Sequence, residues 1–164
     1  MQSGFHIFNL KNIKKLAISI ALPLLIGILS SLLGGTQQEA YSSFAKPPLS
    51  PPSWLFPVVW TILYILMGIS AYLVSKTDAD DDAKKSAFVF YGLQLIFNFF
   101  WSICFFRFSL YGFSFLWLIA LLILVVITAV KFYDINAVAG WLYIPYIAWL
   151  SFAAYLNYMI WMLN

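Results

Sequence analysis

FSLYGFSFLWLIALLILVVITAV, residues 108–130, runs between Arg107 and Lys131 without one charged side chain. An α-helix rises about 1.5 Å per residue, so about 20 apolar residues cross a hydrocarbon core about 30 Å thick. In lipid every backbone N–H and C=O must be paired within the protein, which makes such a run a helix. The same reading applies outward along the chain. Charged residues gather at Lys11, Lys14 and Lys15, at Glu39 and Lys46, between Lys76 and Lys85, at Arg107, and at Lys131 and Asp134. Between these marks lie the charge-free intervals 16–38, 47–75, 86–106, 108–130 and 135–164. The spacing predicts an all-α membrane protein: five transmembrane helices at about 15–33, 52–75, 84–106, 111–132 and 137–162.

Composition agrees. The chain of 164 residues is 63% hydrophobic and 9% charged, with a mean hydropathy of +0.90. Soluble domains carry roughly 25% charge, so a water-soluble globule is excluded. A net charge of +3, spread over several loops, points to membrane orientation and not to nucleic acid. The single cysteine, Cys104, provides neither an internal disulfide nor a thiolate metal site. Residues 1–15 read as a basic amino-terminal arm and 16–164 as one membrane domain. The first apolar run exceeds the usual 7–15 residues of a signal peptide and has no small-x-small cleavage site after Leu33, so it reads as a retained helix. The acidic run at 78–82 reads as a solvated loop.

The segment 34–51 is the one substantial loop. Gly34 and Gly35 stop the first helix. Thr36 and Glu39 have capping-box spacing, and a short helix over 37–44 would point Tyr41 and Phe44 the same way. Ser50-Pro51 has the form of a helix start. This loop reads as a lid over the bundle. Pro23, Pro57 and Pro145 fall inside expected spans and predict kinks, and Gly27 and Ser31 allow close helix approach.

Gln94, Asn98, Trp101 and Phe105 form one stripe on the third helix. Amides are costly in lipid, so the stripe faces inward, either gluing helices together or lining a pocket. Trp60 and Trp149 lie well inside the second and fifth spans, where an indole N–H needs a partner. Trp54, Trp141 and Trp161 lie nearer span ends and suit an interfacial belt. No Asp, Glu, Lys, Arg or His falls deep in any span, and the only histidine is His6. Acid–base catalysis and proton-coupled pumping are disfavoured, and no metal site is expected. A macrocycle held by stacking is easier to support than haem.

Three runs together resemble the TspO/MBR family: KPPLSPPSWLFPVVWTILYILMG (46–68), QLIFNFFWS (94–102) and PYIAWLSFAAYLN (145–157). The likeness covers roughly residues 16–162. It implies a five-helix bundle, often a homodimer, with a ligand pocket beneath the first loop. Family ligands are tetrapyrroles such as protoporphyrin IX, cholesterol in animals, and synthetic drugs. By position the pocket would use Tyr41, Pro51, Trp60, Tyr64, Gln94, Asn98, Trp149 and Ala153. Porphyrin would be a ligand, with no cofactor. The implied role is porphyrin handling, sensing or transport. Some bacterial members are associated with light-dependent porphyrin breakdown, in which the positions of Trp60 and Trp149 are implicated, and a regulatory role without turnover is a third reading. The basic residue that ends the animal cholesterol motif is missing after Tyr158, which argues against cholesterol. Leu66, Tyr72 and Lys76 meet only a loose pattern. Partners are then membrane lipid and a hydrophobic small molecule. Lys11, Lys14, Lys15, Lys76, Lys84, Lys85 and Lys131 fall on one side, and Lys46 and Arg107 on the other. The positive-inside rule puts the amino terminus in the cytoplasm, in a bacterial cell membrane.

Overall fold

The computed structural model describes residues 10–35 and 37–164. The chain forms α1 (Leu10–Gly34), α2 (Gln37–Ser43), α3 (Leu55–Lys76), α4 (Asp81–Ser102), a π-helical turn (Ile103–Arg107), α5 (Tyr111–Ile135), α6 (Ala137–Trp141) and α7 (Ile144–Leu163). Among the described residues five stretches are long and apolar enough to cross a membrane: α1, α3, α4 with its π turn, α5, and α6 with α7. The all-α, five-span architecture is therefore the one the charge spacing predicts. The spans close into a ring in which α1 lies between α3 and α4, α5 packs on α4 and α7, and α3 meets α6.

Several boundaries differ from expectation, each for a local reason. α1 begins at Leu10, so Lys11, Lys14 and Lys15 belong to the helix and not to the arm. Long lysine stems lie along apolar surface while the ammonium stays in water, so three lysines do not stop a helix. The acidic run is only partly loop: Asp80 caps α4 by accepting from the Ala83 N–H at 3.0 Å, and Asp81 and Asp82 occupy the first turn, where carboxylates favour the helix dipole. Ser50 does not start α3; its hydroxyl donates to the Pro47 carbonyl at 2.8 Å, and α3 begins at Leu55. The pairing of Thr36 with Glu39, His6, and residues 1–9 of the arm lie outside the described residues.

Only one of the three prolines lies in the interior of a helix. Pro57 sits in the first turn of α3 and Pro145 at the start of α7, where a missing N–H costs nothing. Instead of kinking, the fifth span breaks at Leu142–Tyr143, between α6 and α7. Pro23, inside α1, has no N–H to offer the Ser19 carbonyl. That carbonyl faces Gly68 of α3: a Cβ there would lie 2.6 Å from the Ser19 oxygen and also collide with Ile20 Cα. The helices therefore touch backbone to backbone at this level. α1 ends at Gly34 and is followed by Gly35, whose φ of +86° suits glycine.

The core lies between α3, α4, α5 and the fifth span. Tyr91 stacks on Phe132 at 5.7 Å, and Tyr143 meets the same ring edge-on at 5.6 Å. Trp54, Trp141 and Trp161 are exposed near span ends, in keeping with an interfacial belt.

Candidate ligand-binding site

The break before α7 has a consequence for the centre of the molecule. α3 packs closely on the stub α6, while higher up α3 and α7 are joined by aromatic side chains. Between them, beneath α2, lies a cavity of about 1120 Å³. It is walled by all the spans except α5, together with the lid.

Tyr41, Trp60, Tyr64, Asn98, Trp149 and Ala153 all line it. Each arrives from a different local cause. Tyr41 is carried by α2, and its hydroxyl donates to the Pro51 carbonyl at 2.7 Å, tying the lid to the approach of α3. Burial raises the Tyr41 phenol above its ordinary pKa, so it stays a neutral donor. Its ring meets Phe56 edge-on at 4.9 Å, and Phe56 meets Trp149 at 5.7 Å. Trp60 stacks on Tyr64, one turn along α3, with centroids 5.6 Å apart. Tyr64 lies over Gly27 so closely that a Cβ on Gly27 would come within 2.6 Å of the ring's Cζ.

A polar relay crosses the floor. Tyr64 donates to Asn98 Oδ1 at 2.7 Å, and Asn98 Nδ2 donates to the Tyr146 hydroxyl at 2.8 Å. Asn98 thus both glues the bundle and lines the cavity. Trp101 on the same stripe donates to Asn157 Oδ1 at 3.1 Å. The indole N–H of Trp149 is different: it is buried, turned away from the open space of the cavity, and has no partner among the described residues.

Two expected residues do not line the cavity. Pro51 acts from behind, as acceptor for Tyr41. Gln94 is fully buried, with Nε2 against Met67 Sδ at 3.7 Å and Oε1 unpartnered. Sequence reasoning also missed α1, whose Leu24, Gly27 and Ser30 line the cavity. Ser30 donates to the Phe99 carbonyl at 2.7 Å and bonds the Ser102 hydroxyl at 2.5 Å. The small-xxx-small spacing was the available clue. The π turn follows Ser102, and Phe106 rather than Phe105 reaches the cavity.

The two amides therefore separate in effect. Asn98→Leu strands two phenols and should cost about 1–2 kcal/mol of stability and weaken ligand binding. Gln94→Leu removes an unsatisfied oxygen and should change stability by less than about 1 kcal/mol. Thermal unfolding in detergent checks both; a larger loss for Gln94→Leu would refute the assignment of Asn98 as the structural and cavity-lining amide.

Comparison with known proteins identifies the family. The profile of the TspO/MBR family matches residues 19–162. The chain is 36% identical to the tryptophan-rich protein TspO of Chlorobaculum tepidum over 94% of this chain and 98% of that protein. It is 38% identical to the tryptophan-rich protein TspO of Archaeoglobus fulgidus, covering 93% and 99%. The translocator protein of Ovis aries is 37% identical over 76% of this chain and 74% of its own length. With five membrane-crossing helices and a family match over most of its length, the chain is an integral membrane protein that belongs to the TspO/MBR family.

Proposed function

We propose that the cavity beneath the lid binds a tetrapyrrole such as protoporphyrin IX, and that the protein handles, senses or transports porphyrin. The observation that carries this reading is the set of broad aromatic walls, Trp60 with Tyr64 and Trp149 with Phe56, around one cavity. A flat apolar macrocycle needs rigid faces and few polar anchors. Titrating the purified protein with protoporphyrin in the dark, by tryptophan quenching, tests it. Saturable binding lost on blocking the cavity supports the reading, and unsaturable partition into detergent refutes it.

A second reading has its own support. Trp60 stacks on Tyr64, whose hydroxyl is hydrogen-bonded to Asn98, so an oxidisable indole adjoins an oxidisable phenol. Under light such a wall can take part in breaking the porphyrin. A product formed only in light and only with intact protein would establish that chemistry. The homodimer belongs to the same proposal.

We propose further that the amino terminus faces the cytoplasm of a bacterial cell; the lysine distribution supports the orientation. In a Cys104→Ser background, Ser42→Cys should react with an impermeant thiol reagent on whole cells, whereas Asp78→Cys should not. Asp78 serves better than Asp80, whose side chain caps α4. The opposite labelling pattern would invert the orientation.

A further inference from the structure

The cavity changes character along its depth. Its floor is aromatic, with Trp60, Tyr64 and Trp149. Its lid-side wall carries short polar side chains, among them Ser31, Ser42, Ser43 and Ser53. Two cations lie beside residues that line this end, without being on the lining themselves. Lys46 Nζ lies 4.9 Å from the centroid of the Tyr41 ring, which walls the cavity. Arg107 follows the lining residue Phe106 and donates through Nη1 to the Leu33 carbonyl at 3.1 Å, leaving further guanidinium donors free to bond. Both side chains are exposed, and no carboxylate among the described residues pairs with either. The carboxylate on the lining itself is Glu39.

We propose that this rim anchors carboxylates, so that the cavity takes a flat apolar ring bearing acid groups along one edge, ring first, with the acids held at Lys46 and Arg107. The proposal rests on the porphyrin reading, since the macrocycle is the ring. An ionised carboxylate placed against the aromatic floor would lose its hydration with no cation to replace it. At the rim it keeps water on one side and meets hydroxyl and guanidinium donors on the other. Arginine offers a paired-donor fork and lysine a mobile point charge, which suits two acids whose spacing varies. Glu39 acts with the opposite sign, and its field at the rim disfavours an anion.

The test compares protoporphyrin IX with its dimethyl ester, titrated in the dark against protein in nanodiscs of zwitterionic lipid. The diacid should bind wild type about three- to tenfold more tightly than the ester, the yield of two partly solvated ion pairs. Lys46→Met and Arg107→Gln should each weaken the diacid about two- to fivefold and leave the ester unchanged. Glu39→Gln should tighten the diacid alone. The diacid's advantage should shrink at high salt. Lys46→Met touches no backbone bond, so it decides the matter even if loss of the Arg107–Leu33 bond prevents folding. Ester binding with a diacid that ignores every rim variant would overturn the rim and leave the porphyrin reading intact. Failure of wild type to bind either probe would overturn both.

Discussion

Removing both indoles, in Trp60→Ala with Trp149→Ala, should weaken protoporphyrin binding by on the order of a hundredfold. Each indole presents part of its roughly 150–250 Å² to the cavity. At about 25 cal/mol per Å², the lost contact is about 1–1.5 kcal/mol per residue, about 2–3 kcal/mol for the pair. Phenylalanine keeps most of the face and deletes the N–H. Trp60→Phe and Trp149→Phe should therefore bind within about 1–2 kcal/mol of wild type. Neither the Trp60 nor the Trp149 N–H has a hydrogen-bond partner among the described residues, so each change deletes a free donor. Any photoproduct should fall much further than affinity in both, since indole is far more easily oxidised than phenyl. Quenching titrations and product absorbance under illumination, corrected for folded fraction, read all of these. Wild-type affinity in the double alanine variant would remove both residues from the site.

Gly68→Ala should lower stability by about 1–3 kcal/mol, the usual range for overpacking, and should weaken ligand binding as well. The added methyl meets the Ser19 carbonyl and Ile20 Cα, which are main-chain atoms that no side-chain rotation can move aside. Relief requires α1 to shift away from α3. The upper half of α1 carries Gly27 and Ser30, so that shift deforms one wall of the cavity. Gly27→Ala is the informative companion. Its methyl meets the Tyr64 ring, which can swing at the expense of the Asn98 bond, so affinity should suffer more than melting temperature. Thermal unfolding and protoporphyrin titration on the same preparations separate the two. An unchanged melting temperature in Gly68→Ala would mean that the helices do not touch there.

Charge spacing was enough for the architecture because lipid leaves a chain few options: a long charge-free run has to be a helix. It was weaker at the ends. Lys11, Lys14 and Lys15 read as an arm because charge was taken as the end of a span, although a lysine in the outer turns reaches water without breaking the helix. Pro145 read as a kink because position alone does not distinguish the interior of one helix from the start of another. The cavity residues on α3 and α7 stood out as aromatics deep in a span. Ser30 and Gly27 did not, since small residues advertise close packing of any kind. Phe106 was unreachable by periodicity: a π turn adds a residue to the turn, and a 3.6-residue stripe selects Phe105 instead. Gln94 and Asn98 looked equivalent because both are amides on one stripe. Only their surroundings separate them, two phenols around Asn98 and a thioether beside Gln94.

The bond between Ser30 and Ser102 spans 72 positions of sequence, and this sets an order of events during synthesis. Ribosomes add about 5–20 residues per second, so Ser30 exists for roughly 4–15 seconds before its partner does. Once α1 enters the bilayer in that interval, its hydroxyl can turn to its own helix, through the carbonyl one turn back. The first helix thus waits in lipid with a provisional bond, and it is the arrival of α4 that converts a self-sufficient segment into a wall of the chamber.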